Sequence, residues 1–155
     1  MKRKINWGML LSHHPECQYD RTFAIGKARI CVRCSGFVVG VVCVLLIPAL
    51  RELPLWATWL LLLALPLPAI FNFTLHELGL TRNRNAWRLL TGLLLGAGVG
   101  LILVLEFHGR IWLGVAGMVW ILLLEGAVAV VLHRRGQLER FFGEYENGVY
   151  KNGTE

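Results

Sequence analysis

Five thiol and imidazole side chains near the start of this chain are of the types that hold a soft metal ion. His13, His14 and Cys17 lie in Ser12-His13-His14-Pro15-Glu16-Cys17, and Cys31 and Cys34 lie in Cys31-Val32-Arg33-Cys34. Zinc takes four tetrahedral ligands drawn from thiolate and imidazole, and a Cys-x-x-Cys pair forms one half of many such sites. Cys31 and Cys34 make that half here, and Cys17 with His13 or His14 makes the other. Zinc is the expected cofactor, with another thiophilic metal as the alternative. His-His-Pro-x-Cys is not a standard chelate, so two rival readings stay open. A Cys-x-x-Cys pair at a helix N-terminus with an arginine between the thiols has lowered thiol pKa values and suits a redox dithiol. The plainest reading gives the thiols neither role.

A second group of candidates sits within apolar sequence. Glu125 is the single ionisable residue in the stretch 111–132. A charged side chain deep in a bilayer is costly, so it faces a partner or a cavity. Asn72 and His76 are the expected companions of Glu125 in a polar cavity, with His133 two turns further along its own helix. A simpler reading of Glu125 is a protonated carboxyl donating to a backbone carbonyl. Arg21, Arg33, Arg82, Arg84 and Arg88 form a third group, suited to an anionic headgroup or substrate.

These groups need elements to hold them, and the composition says which kind. The chain has 155 residues and is 55% hydrophobic, with a mean hydropathy of +0.55, above the ~45–50% apolar content of soluble domains. The apolar residues are blocked: 53–75 and 89–105 carry no charge, and 111–132 carries Glu125 alone. A helix crossing a bilayer needs ~20 such residues. The stretch 37–50 is shorter and spans only if its helix begins near residues 31–35; a re-entrant segment is the alternative. The expected fold is an all-α membrane protein, a four-transmembrane-helix bundle with spans at about 35–50, 54–75, 88–106 and 111–133. Residues 1–135 form the single membrane domain, with residues 1–34 as its Cys/His motif, and 136–155 a polar tail.

Every lysine and arginine except Arg51 and Arg110 falls on one side of such a bundle. Basic flanks stay in the cytoplasm, which puts both termini and the Cys/His motif inside, in a multi-pass protein of the cell membrane. The net charge of +6 then reflects topology and attraction to anionic headgroups. No nucleic-acid-binding module is visible. The basic start lacks the apolar run and cleavage site of a signal peptide. In the cytoplasm thiols stay reduced, so the cysteine pattern reads as metal-binding or catalytic rather than disulfide-forming.

Local signals complete the frame. Residues 21–25 and 28–31 flank Gly26-Lys27, a two-residue loop suited to a β-hairpin, which carries Cys31 and Cys34 back toward the His-Pro run. Cys43 reads as a small apolar packing residue. Pro66 and Pro68 should kink the second span. Gly36 and Gly40 on the first span, and Gly92, Gly96 and Gly100 on the third, recur every four residues and mark close helix contacts, including contacts between copies in a homo-oligomer.

The string His13-His14-Pro15, Arg21-Thr22-Phe23 and Cys31-x-Arg33-Cys34-Ser35-Gly36, with Gly40 beyond, resembles the signature of domain-of-unknown-function family 2085. Gly79-Leu80 and Leu89-Leu90-Thr91-Gly92-Leu93 extend the likeness, which covers roughly residues 9–105. The resemblance implies a small multispanning membrane protein with a Cys/His motif, of a kind found in archaea and bacteria, and implies no reaction. The family pattern has Asp-Gly near the end of the second span, where this chain has Phe71-Asn72 with His76-Glu77 beyond. The resulting expectation is a membrane protein whose Cys/His metal site caps an intramembrane polar cavity. The alternatives are a membrane dithiol oxidoreductase using Cys31 and Cys34, or an enzyme or transporter acting on an anionic lipid or small molecule. No Ser/His/Asp arrangement or paired acidic motif points to a hydrolysis.

Overall fold

The computed structural model describes residues 20–26, 28–81 and 84–137. His13, His14, Cys17, Arg82 and the tail beyond residue 137 lie outside the described residues. Strands β1 (Thr22–Ile25) and β2 (Ala28–Cys31) pair antiparallel, with Thr22 opposite Cys31 and Ile25 opposite Ala28. Gly26 turns the chain at φ +59°, a conformation that glycine adopts without a Cβ penalty.

Cys31 ends β2 and directly precedes helix α1 (Val32–Leu46). The helix stops at Leu46 because Pro48 disfavours helical geometry at the residue before it, and Ile47 is extended at φ −100°, ψ 98°. A short 3-10 turn, Pro48–Glu52, leads to α2 (Leu55–Ala64) and α3 (Leu67–Glu77). Leu65 and Pro66 keep helical dihedrals, so α2 and α3 form one helix bent where the two prolines withdraw their N–H groups. Just before the bend, the Leu63 carbonyl accepts a hydrogen bond from Trp120 Nε1 at 3.3 Å. Neighbouring helices commonly satisfy backbone groups near such breaks. Helices α4 (Asn85–Phe107) and α5 (Ile111–Arg134) complete the chain.

Among the described residues, three stretches are long and apolar enough to cross a membrane: Leu55–Glu77, Asn85–Phe107 and Ile111–Arg134. Helix α1 is shorter at 15 residues, about 22 Å of helix against a hydrocarbon core of about 30 Å. It begins earlier and ends earlier than the expected span 35–50. Large apolar side chains cover the outside, with Trp112 87% and Leu46 74% exposed, as suits a lipid-facing surface.

The closest packing joins α1 to α4, which run parallel. A Cβ at Gly36 would overlap the Leu89 carbonyl oxygen, one at Gly40 that of Leu93, one at Gly92 that of Arg33 and one at Gly96 that of Phe37. These glycines face one another within one chain, so the faces expected to serve a homo-oligomer are already covered. Cys43, expected inside the packing, is exposed. The apolar core of Val44, Leu62, Leu101, Ile102, Val104, Leu105 and Ile121 lies toward the end away from the hairpin. Helix α5 joins it through Gly117, where a Cβ would stand 3.1 Å from Ile102 and Leu62 side chains. Further along α5, Gly126 has open space around it.

Candidate functional site

The hairpin register delivers Cys31 to the start of α1, and one helical turn carries Cys34 to the same side. Both thiols are free, Cys31 buried and Cys34 exposed at its edge, and the two are in hydrogen-bond contact. Partial burial, then the neighbouring Cys31, push the Cys34 thiol up to about 11; Arg33 opposes this without prevailing. The thiolate-favouring effect expected of the helix end and Arg33 is thus outweighed by desolvation. Among the described residues, no group of three or more His, Cys, Asp or Glu side chains converges on one point. The other three expected ligands lie outside those residues.

Between the cysteines, Arg33 points into the bundle. Its guanidinium lies over the Phe73 ring, 5.4 Å from the centroid, within cation–π range. Its Nε is buried with no hydrogen-bond partner among the described residues. Burial pulls its pKa down, while Cys31 and Glu77 favour the charged form.

Arg33 forms one wall of a cavity of about 380 Å³. Helix α3 contributes Ala69, Ile70, Phe73 and Glu77, helix α4 contributes Leu95, and α5 contributes Glu125, Val128, Ala129 and Leu132. The walls are mainly apolar, with charge confined to Arg33, Glu77 and Glu125. Glu125 lines this cavity, and Asn72 and His76 are not among its lining residues. Ala69, Phe73 and Glu77 recur every four residues and share one face of α3, while Asn72 and His76 lie on the neighbouring face. That spacing was readable in the sequence, but which face meets the cavity was not.

His76 turns to α4 instead. Its Nε2 is 3.3 Å from Arg88 NH2 and its Nδ1 is 3.4 Å from the Thr81 carbonyl. Both contacts are met when Nδ1 carries the proton and Nε2 accepts from Arg88. Arg88 is buried and also faces Asn85 Oδ1 at 3.5 Å. Asn85 in turn donates to the Asp20 carbonyl at 2.8 Å, which ties the base of the hairpin to the start of α4. Arg88 therefore acts as a structural tie between helices rather than a free surface cation. Arg84 is exposed and Arg21 half-buried. His133 is exposed on α5, and among the described residues no hydrogen bond or ion pair is formed by Glu125.

The sequence model of a family described as "Predicted membrane protein (DUF2085)" matches residues 16–102, which contain both cysteines, Arg33, the α1–α4 contact and the α3 wall of the cavity. No match is found among curated proteins or among solved structures.

Proposed function

This chain belongs to the DUF2085 family of predicted membrane proteins, and we propose that it crosses the bilayer four times and carries a thiolate metal site at the hairpin end of its membrane cavity. The parallel packing of α1 and α4 supports the fourth crossing. The Asn85–Asp20 bond holds the hairpin beside the start of α4, and Gly92 meets Arg33. The kinked helix α2–α3 brings the chain to that side from the other. On this reading helix α1 takes it across first, with the 3-10 turn and the polar interface making up its missing length. The concentration of Lys and Arg at the hairpin end supports placing that end and both termini in the cytoplasm. Arg21 and Arg84 at that end would meet anionic headgroups.

The observation that carries the metal reading is the Cys31–Cys34 contact at the strand-to-helix junction, one helical turn apart and facing the same side. Zinc ligation turns two closely opposed thiols into stabilised thiolates and contributes to local folding. Cys17 with His13 or His14 would complete the ligand set, and the metal would clamp a two-stranded hairpin that is marginal by itself. Elemental analysis of the purified chain tests the reading. About one zinc per chain, lost in Cys31→Ser and in Cys34→Ser, supports it. Metal-free protein whose two thiols oxidise reversibly to a disulfide refutes it in favour of the oxidoreductase.

A further inference from the structure

Among the described residues, the walls of the cavity leave the Glu125 carboxyl without a charged partner. At its hairpin end the walls carry Arg33 and Glu77, two side chains of opposite charge. Glu125 stands deeper, seven residues before Leu132 on α5, a distance of about 10 Å along the helix. Apart from Gln137, which lies beyond the end of α5, the other walls are apolar, Ala69, Ile70, Leu95, Val128 and Ala129 among them. No described residue pairs with Glu125.

We propose that this cavity binds a lipophilic organic cation from the bilayer, with Glu125 as its counter-ion. The excess charge selects the sign of the ligand. A carboxylate in an apolar membrane site calls for a partner of opposite charge, and an anion would meet two carboxylates against one arginine. The walls select its body. A hard metal ion such as Ca²⁺ takes six or more oxygen ligands, whereas a single carboxylate among aliphatic side chains suits an ammonium or phosphonium with apolar substituents. The volume of about 380 Å³ lies within the ~300–1,000 Å³ of small-molecule pockets. Glu125 and Ala129 line the cavity and are also exposed, so the cavity opens to the lipid-facing surface beside them. The site is independent of the thiol pair and goes beyond the metal reading.

The test uses the full chain in lipid nanodiscs and equilibrium dialysis against tetraphenylphosphonium, with protein-free nanodiscs subtracted. Tetraphenylborate, of the same shape and opposite charge, is the matched probe. Saturable binding of about one phosphonium per chain is expected, weakened about tenfold or more in Glu125→Gln, the size of a lost charge-assisted contact. Glu125→Asp should retain part of the affinity, and tetraphenylborate should not compete. Cys34→Ser should bind the phosphonium normally, which separates failure here from failure of the metal site. Glu125→Gln must elute as the parent does, so that lost binding is not lost folding; if it does not, Glu125→Asp and the borate comparison decide. Equal phosphonium binding by parent and Glu125→Gln, preference for the borate, or absence of saturable binding would each overturn the proposal.

Discussion

Substituting Gly96 by alanine tests the backbone contact between α1 and α4 most directly. An added Cβ would lie 2.7 Å from the Phe37 carbonyl carbon and 2.8 Å from its Cα, with the carbonyl oxygen closer still. Ordinary contacts between carbon atoms are about 3.5–4.0 Å, so the helices must part by about 1 Å. Such a gap forfeits up to half of each pairwise attraction of about 0.1–0.2 kcal/mol. Over roughly forty atom pairs along the interface, the loss is about 3 kcal/mol. This is near the upper end of the ~1–3 kcal/mol typical of overpacked cores. Gly126→Ala is the control, because Gly126 has nothing within 4 Å. There, removing glycine from a helix interior should add about 0.5–1 kcal/mol. Reversible unfolding in mixed micelles titrated with dodecyl sulfate, followed by tryptophan fluorescence, measures both. Gly40→Ala, whose Cβ would stand 2.8 Å from the Ala97 nitrogen, should cost about as much as Gly96→Ala. The double variant should cost less than the two together, since helices already parted admit both methyl groups. If Gly96→Ala and Gly126→Ala behave alike, the backbones do not meet as described.

The bond from Trp120 Nε1 to the Leu63 carbonyl predicts that Trp120→Phe costs about 1 kcal/mol in the same unfolding measurement, while Trp112→Phe, at an exposed position, is close to silent. Arg88→Met should cost about 1.5–3 kcal/mol by removing charge-assisted bonds and should hasten proteolysis at the hairpin, with Arg88→Lys recovering part of both. With the Cys34 thiol pushed up to about 11, thiolate forms only as pH rises toward that value. Metal-free chain should therefore alkylate slowly at Cys34 at pH 8 and faster toward pH 11; rapid labelling near pH 7 would contradict the upward shift of that thiol. A cysteine engineered beside Arg51 should react with an impermeant maleimide in intact cells while one in the tail does not; labelling of the tail would reverse the proposed orientation.

Features set by neighbours in sequence were legible in the chain itself. The apolar blocks marked where the long helices lie because crossing length depends on hydropathy summed along the chain. Gly26 between two short strands predicted the hairpin, and Pro66 and Pro68 the bend, because these depend on backbone torsions and N–H groups at single positions. The glycine spacing on α1 and α4 showed that something packs closely there. It did not show that the two stripes meet each other, in parallel and within one chain. Only the tertiary structure decided that, together with the choice of Phe73 and Glu77 over Asn72 and His76 for the cavity wall, the burial of Arg88, and the outcome at Cys34. In a soluble helix the apolar stripe points to the core, but lipid and protein interior are alike apolar, so hydropathy in a membrane helix carries little record of which face turns inward. Facing is set there by shape and by a few polar contacts between segments far apart in sequence, such as Trp120 with Leu63 and Asn85 with Asp20.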